Sequence, residues 1–360
     1  MPHPLIEAAR RVADDVLEPA AAQVDASSVP RSHLKAIADA GLLGIIAPVD
    51  VGGAGASAAV LREVTEILAG ADAATWFVQV QHHAAVRMLA NSALPAAAKY
   101  LPRLATGELV AGIAFSHLRR FPDRPVTARR LDGGWQLDGV APWYTGWGLN
   151  DVAFISGVTD DGHVVFGAIP AVEGGGLSMK TKLRTAALEA AHTVVLALDS
   201  VVIADDDIAL HQPHADWLAS DVMVANANGA IFGVARSAVT LLRAAGEARH
   251  ESATIDAARI FEVALRDIRL RCYALADDVP PAEAIDERLS CRAEALELLI
   301  AVTSALVAAS AGPGMALSSA AQRKAREALF LLVQAQTGAA REATLRRWSA
   351  SATARAQARA

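Results

Sequence analysis

The sequence predicts an α+β chain in three parts: an all-helical N-terminal domain over residues 1–110, a central β-domain over 111–212 and a C-terminal helical bundle over 213–360. Three observations lead there. Apolar residues recur at helical spacing to about Thr106, give way to short β-rich runs as far as about Leu210, and return to helical spacing from about Asp216. Hydrophobic residues make up 53% of the chain and aromatic residues only 5%, a balance that favours close-packed Ala-rich helices over extensive sheet. Gly, Pro and Asp cluster where the pattern changes.

Taken in order, the segment MPHPLIEAARRVADDVLEPA alternates apolar and charged residues at helical intervals. It lacks the continuous apolar block of a secretory signal, so it opens a helix. Helical runs then break at Pro30, over residues 48–54 and at Pro95. In the middle part Val126–Leu131, Trp135–Leu137, Val152–Ile155, Val164–Ile169 and Thr193–Leu198 read as strands separated by Gly and Asp turns, forming a compact β-barrel or sandwich. The last part has breaks near residues 246–254, 277–281 and 312–319, which fit a four-helix bundle. Its most apolar stretch, Leu298–Gly312, is interrupted by Thr303, Ser304 and Ser310; it is too short to span a bilayer and reads as a buried helix. The basic tail Arg341–Arg359 reads as a solvated helix end, and Asp205–Asp207 and Asp277-Asp278 read as caps and turns.

A formal net charge of -6 and a pI near 5.9 lack the basic footprint of a nucleic-acid or anionic-membrane surface, which leaves small molecules and proteins as partners. Cys272 and Cys291 are the only cysteines, and no His/Cys spacing makes a metal site. A reducing cytoplasm is the expected compartment.

The most informative stretch is Trp143-Tyr144-Thr145-Gly146-Trp147, at the end of a strand pattern and punctuated by Gly146 and Gly148. An indole can cover the π surface of an isoalloxazine while a Thr hydroxyl or a backbone N–H meets its polar pyrimidine edge, so the stretch reads as a flavin platform. The alternative is a set of ordinary aromatic plugs in a β-domain core.

Helices, a small β-domain and a helical bundle, with Trp-x-Thr at a strand end between them, resemble the acyl-CoA dehydrogenase family over nearly the whole chain. Pro48, Gly52, Gly53 and Gly55 are similar to an early Pro followed by a Gly-Gly-x-Gly turn in that family. The segment LPRLATGELVAGIAFS resembles the lead into its first β-strand, which implies that Phe115 and Ser116 contact flavin; APWYTG resembles its Trp-Ile-Thr segment, which implies the same for Trp143, Tyr144 and Thr145; and ALDSVVIADDDI resembles the strand that closes its β-domain.

The chain departs from the family pattern where the chemistry lies. Gly312, Gly314, Arg326 and Thr337 match a C-terminal motif whose Glu removes the substrate α-proton, but that position is Ala335. The alternative base position of some members falls on Met223 or Val224; Asp221 lies nearby, off the base position. An Arg-x-x-Phe-Gly segment that reaches a neighbouring subunit's FAD pyrophosphate is replaced by EARHESATID, in which Arg249 is the one stand-in, and a Gln in the same role falls on Ala308. The Gly-rich loop after the first strand reads Ser116-His117-Leu118-Arg119-Arg120-Phe121-Pro122-Asp123; Arg119 and Arg120 either clamp phosphate in its place or sit in a solvated loop.

For proton transfer, His82 and His83 on an N-terminal helix and His117 after the first strand are the candidates, against a packing or loop role for each. The expectation is a flavin-dependent oxidoreductase, with FAD or FMN, whose chemistry is not standard α,β-dehydrogenation. A monooxygenase supplied with reduced flavin by a separate flavin reductase fits best, acting on a small-molecule or acyl-thioester substrate as a homo-oligomer, dimer or tetramer. The alternatives are a dehydrogenase with a relocated base, and a non-catalytic paralogue that is a partner subunit in a hetero-oligomer.

Overall fold

The computed structural model describes residues 3–357, so the end of the basic tail lies outside the described residues. The chain divides into two compact units, residues 1–64 with 74–220, and residues 65–73 with 221–360.

The first unit holds helices α1 (Pro4–Val12), α2 (Glu18–Ala26), α3 (Arg31–Asp39), the start of α4 (Ala58–Ala71), α5 (Ala73–Ala90) and α6 (Pro95–Ala105), followed by strands. Pro4 and Pro95 each stand in a first helical turn, where a missing N–H is no loss. The strands are β1 (Ala111–Ala114), β2 (Val126–Leu131), β3 (Gly134–Tyr144), β4 (Val152–Val158), β5 (His163–Pro170), β6 (Leu177–Lys182), β7 (Val194–Ala204) and β8 (Ile208–Pro213). They form one sheet in the order β6-β7-β3-β2-β4-β5-β8, with β1 parallel to β4.

β4 and β5 read as near-continuous apolar runs because both of their faces are covered. On one side Phe154, Val158 and Phe166 pack with Ala85, Leu89 and Leu104 of α5 and α6, while on the other Ala153, Ile155 and Val165 join Leu137, Leu196 and Ile203. β6 and β8 were not foreseen. β6 reads LSMKTK, an edge strand whose residues after Leu177 are all exposed, so it carries no apolar alternation to read.

The second unit contains α8 (Gly229–Arg249), α9 (Ser252–Asp278), α10 (Ile285–Ser310), α11 (Ala320–Val333) and α12 (Gly338–Gln357), after a short α7 (His214–Ser220) that belongs to the first unit. Among the described residues five long helices thus stand where four were expected. The extra division falls at residues 334–337, where Ala335 takes a left-handed backbone with φ 51.

α10 is the centre of this unit and packs against α8, α9, α11 and α12. It starts at Ile285 and runs for 26 residues, longer than the Leu298–Gly312 stretch expected to be too short to span a bilayer. By length and composition alone both Ile285–Ser310 and His214–Arg249 are long and apolar enough to cross a membrane. In α10 that apolarity is used for packing, and the buried face includes Arg288 and Arg292.

The C-terminal half of α4 also belongs to this unit and crosses α8 at close range. A Cβ on Gly233 would lie 2.2 Å from the Glu66 carbonyl oxygen, and one on Gly70 would lie 2.9 Å from that of Gly233. At the crossing the buried Glu66 carboxylate accepts from Arg269 Nε at 2.6 Å and Tyr273 OH at 2.6 Å, with Arg236 at 3.3 Å. Cys272 and Cys291 are buried on α9 and α10, and burial pushes both thiols up, suppressing the thiolate.

Candidate functional site

At the end of β3 the register against β7 slips between Ala141 and Tyr144: Ala141 faces Leu196 and Tyr144 faces Val194, so β3 carries one extra residue. This is a β-bulge, and its effect is to re-aim a side chain. Trp143 takes a left-handed backbone with φ 60 and stands 57% exposed, while Tyr144 next to it is 0% exposed in the sheet core. A large aromatic side chain in that conformation costs about 1 to 3 kcal/mol and persists only where its surroundings impose it.

The surroundings are specific. Asn150, itself buried, donates from Nδ2 to Tyr144 OH at 3.0 Å and to the Thr145 carbonyl at 2.9 Å, pinning the two residues that follow the bulge. This fit requires two glycines: a Cβ on Gly112 would lie 2.2 Å from Asn150 Nδ2, and one on Gly146, whose φ is 88, would lie 2.5 Å from the same atom. The Thr145 hydroxyl is 3.0 Å from that of Thr193, at the mouth of β7. Beyond this pair Gly146 N–H donates to the Ala191 carbonyl at 2.9 Å and Trp147 N–H to the His192 carbonyl at 3.2 Å.

The end of β1 reaches the same place. Ser116 Oγ donates to the Pro142 carbonyl at 3.4 Å, one residue before Trp143, so the two strand ends singled out in the sequence meet. Phe115 is half-buried, with the Arg119 guanidinium 5.4 Å above its ring and Trp217 at 6.4 Å. Arg119 therefore rests on an aromatic face, and Arg120, 3.6 Å from Asp123 with both side chains exposed, sits in a solvated loop.

Two sets of expected residues are placed differently. Tyr144 cannot meet a ligand ring, because the bulge turns it into the core, where burial pushes its hydroxyl pKa up. His82, His83 and His117 are buried and structural: His82 Nδ1 accepts the Ala111 N–H at 3.1 Å, His83 Nε2 donates to the Leu42 carbonyl at 2.9 Å, and His117 Nε2 donates to the Ser156 carbonyl at 3.0 Å. Burial holds all three neutral, with pKa values lowered to about 3, about 4 and about 4. Sequence reasoning missed Asn150, Thr193 and His192. Thr193 opens an expected strand and His192 directly precedes it, but nothing in their spacing marks them.

In the second unit the two alternative base positions come together. Arg292, on α10 and 5% exposed, donates to the Val224 carbonyl, to Gln334 O at 2.9 Å and to Ala335 O at 3.4 Å. One guanidinium thus ties the turn holding Met223 and Val224 to the turn holding Ala335, and neither turn offers a carboxylate at the base position. Arg249, the stand-in for the missing pyrophosphate contact, is engaged within the bundle: it pairs with Glu251 at 2.9 Å and donates to the Ala309 carbonyl at 2.7 Å.

This helix, sheet and bundle arrangement is the acyl-CoA dehydrogenase fold. Residues 3–108 match the acyl-CoA dehydrogenase N-terminal domain family. Among solved structures, one described as the electron transferring flavoprotein of Acidaminococcus fermentans superposes with a TM-score of 0.82 at 17% identity, covering 96% of both chains. A glutaryl-CoA dehydrogenase from Mycobacterium smegmatis in complex with FADH2 gives 0.80 at 19% identity, over 96% of this chain and 94% of that one. Dibenzothiophene monooxygenase (TdsC) from Paenibacillus sp. A11-2 gives 0.74 at 20% identity over 91% and 92%, and its FMN-bound form also matches. No curated protein matches by sequence. Identities of this order carry the fold alone.

Proposed function

We propose that this protein is a flavin-dependent oxidoreductase whose chemistry does not rely on a carboxylate base, and that it acts as a monooxygenase on a small molecule with flavin reduced by a separate reductase. The observation that carries this reading is Trp143, an aromatic platform held outward by a left-handed bulge beside the Thr145–Thr193 hydroxyl pair. An isoalloxazine ring offers an apolar face to the exposed indole, while the Thr145 and Thr193 hydroxyls, both buried, bond each other and hold the turn beside it.

When bound, the flavin supplies the redox step. Trp143 and Phe115 cover the ring, Ser116 Oγ braces the Pro142 carbonyl, and Asn150 keeps Thr145 in place. The apolar base positions support chemistry other than α-proton removal. Both the FADH2-bound dehydrogenase and the FMN-bound monooxygenase among the structural neighbours are consistent with a flavin here, and the engaged Arg249 favours FMN. On this reading the protein is a cytoplasmic homo-oligomer.

Titration of the purified protein with FMN and FAD, followed by quenching of flavin fluorescence, is expected to show saturable binding that Trp143→Ala removes. No binding of either flavin would leave the non-catalytic partner subunit as the better reading. With acyl-CoA substrates and an artificial electron acceptor, turnover is expected to be about a hundredfold to ten-thousandfold below that of an enzyme with its base, the usual cost of losing general-base catalysis. Efficient turnover would point to a base elsewhere, with Asp221 the first residue to replace.

A further inference from the structure

We propose that His192 is a flavin-binding residue, its Nε2 forming a hydrogen bond with the polar pyrimidine edge of the ring that lies on Trp143. The inference rests on the flavin reading above and adds a residue that the resemblance does not supply.

His192 has a left-handed backbone, φ 51 and ψ 60, and closes a short 3-10 turn, Glu189–Ala191, that is itself entered through left-handed Leu188 with φ 56. Three of the left-handed non-glycine residues, Trp143, Leu188 and His192, therefore lie on the two strand ends that hold the Thr145–Thr193 pair. Such strain gathers where a fold must present a group in one orientation.

The backbone of His192 is fixed from both sides. Its carbonyl accepts the Trp147 N–H at 3.2 Å, and its own N–H donates to the Glu189 carbonyl at 3.1 Å. The ring is fixed as well: Nδ1 lies 3.3 Å from the Trp147 carbonyl, and a carbonyl can only accept, so Nδ1 carries the proton. Nε2 is left with its lone pair and has no protein partner among the described residues. The side chain is half-buried, one residue from Thr193, whose hydroxyl meets that of Thr145. A half-buried imidazole with a fixed tautomer and an open acceptor suits the imide N–H of the isoalloxazine pyrimidine, and no redox step is involved.

The side-chain series that tests this follows from the geometry. Asn tolerates left-handed backbone, and its Nδ2 can replace Nδ1 against the Trp147 carbonyl while Nε2 is lost; Gln extends to the Nε2 position. His192→Asn is expected to keep the wild-type melting curve, to bind FMN about tenfold more weakly, and to shift the absorption bands of bound oxidised flavin. His192→Gln should stay within about threefold of wild type. Lumiflavin, which has the ring but no ribityl phosphate, should lose the same factor in His192→Asn, because the contact is to the ring. If His192→Asn fails to fold, His192→Gly adopts the same backbone freely and is read in its place. Wild-type FMN affinity and an unshifted spectrum in a folded Asn or Gly variant would overturn the proposal while leaving the flavin reading intact. Absence of FMN binding to the wild type would overturn both.

Discussion

Trp143 combines a backbone conformation that an L side chain resists with an indole left more than half in solvent, and neither serves stability. Glycine enters the left-handed region without steric cost, so Trp143→Gly is expected to be about 1 kcal/mol more stable than Trp143→Ala, which keeps the strain, while both lose flavin binding. Thermal melts of the two variants, read beside flavin titrations, check this; equal melting temperatures would mean that the bulge relaxes once the indole is gone. The three buried histidines make a second prediction. Their folded pKa values lie below the ordinary 6.5, so unfolding takes up protons once the pH drops below that value. Their contribution is intact above pH 6.5 and is lost as the pH falls from there toward about 4 for His83 and His117 and about 3 for His82, at up to about 1.4 kcal/mol per pH unit for each ring. Glu66 and Glu327 have pKa values raised by burial and act in the opposite sense as they take up protons. Urea midpoints measured against pH should therefore show a shallower slope over this window in His117→Gln than in the parent protein.

At the scale of elements, Arg292 is a carbonyl-capping guanidinium that holds two turns at once. Replacing it with Met leaves three carbonyls without that donor and is expected to cost about 3 kcal/mol, with faster amide exchange confined to residues around 223–226 and 334–337. Unchanged exchange there would show that the turns hold themselves. The α4–α8 crossing is equally specific: Gly233→Ala puts a methyl group where the Glu66 backbone already lies, and should lower stability by about 2 to 3 kcal/mol in urea denaturation. These elements also mark what was readable beforehand. The helices and β2 could be read because burial writes a period into the sequence, and β4 and β5 because burial on both faces leaves an unbroken apolar run. β6 could not, because only Leu177 in it is buried. Tyr144, expected at the flavin with its two neighbours, lies in the sheet core because a single bulged residue inverts the alternation, and no residue type announces that bulge. The fifth helix was hidden because the break at residues 334–337 contains neither Pro nor Gly.

For the molecule as a whole, the missing cross-subunit contacts and the internal engagement of Arg249 predict weak discrimination between cofactors. FMN should bind within about tenfold of FAD, a difference of about 1.4 kcal/mol or less by calorimetric titration. A hundredfold preference for FAD would require a pyrophosphate site built from other residues, and Arg119 and Arg120 would be the first to test. The fold was legible because its three-part rhythm extends over the whole chain. In the proposed site, Trp143, Thr145, Phe115 and Ser116 could be singled out from a short motif; Asn150, Thr193 and His192 are tied to that stretch by hydrogen bonds that spacing does not encode.

The helix α4 has a consequence for how the chain is made. The bundle needs Thr65–Ala73, whose Glu66 neutralises Arg269 and whose Gly70 carbonyl receives the buried Lys324 ammonium at 2.7 Å, yet the rest of the bundle begins only at Asp221. During synthesis that short segment leaves the ribosome long before its partners, so this unit can close only near the end of translation, by a loop spanning the whole β-sheet. A gene fragment starting at residue 221 would therefore yield helices in which Arg269, Arg236 and Tyr273 lack the Glu66 carboxylate and Lys324 lacks the Gly70 carbonyl, and co-expressing a peptide that covers residues 58–73 should raise its soluble yield.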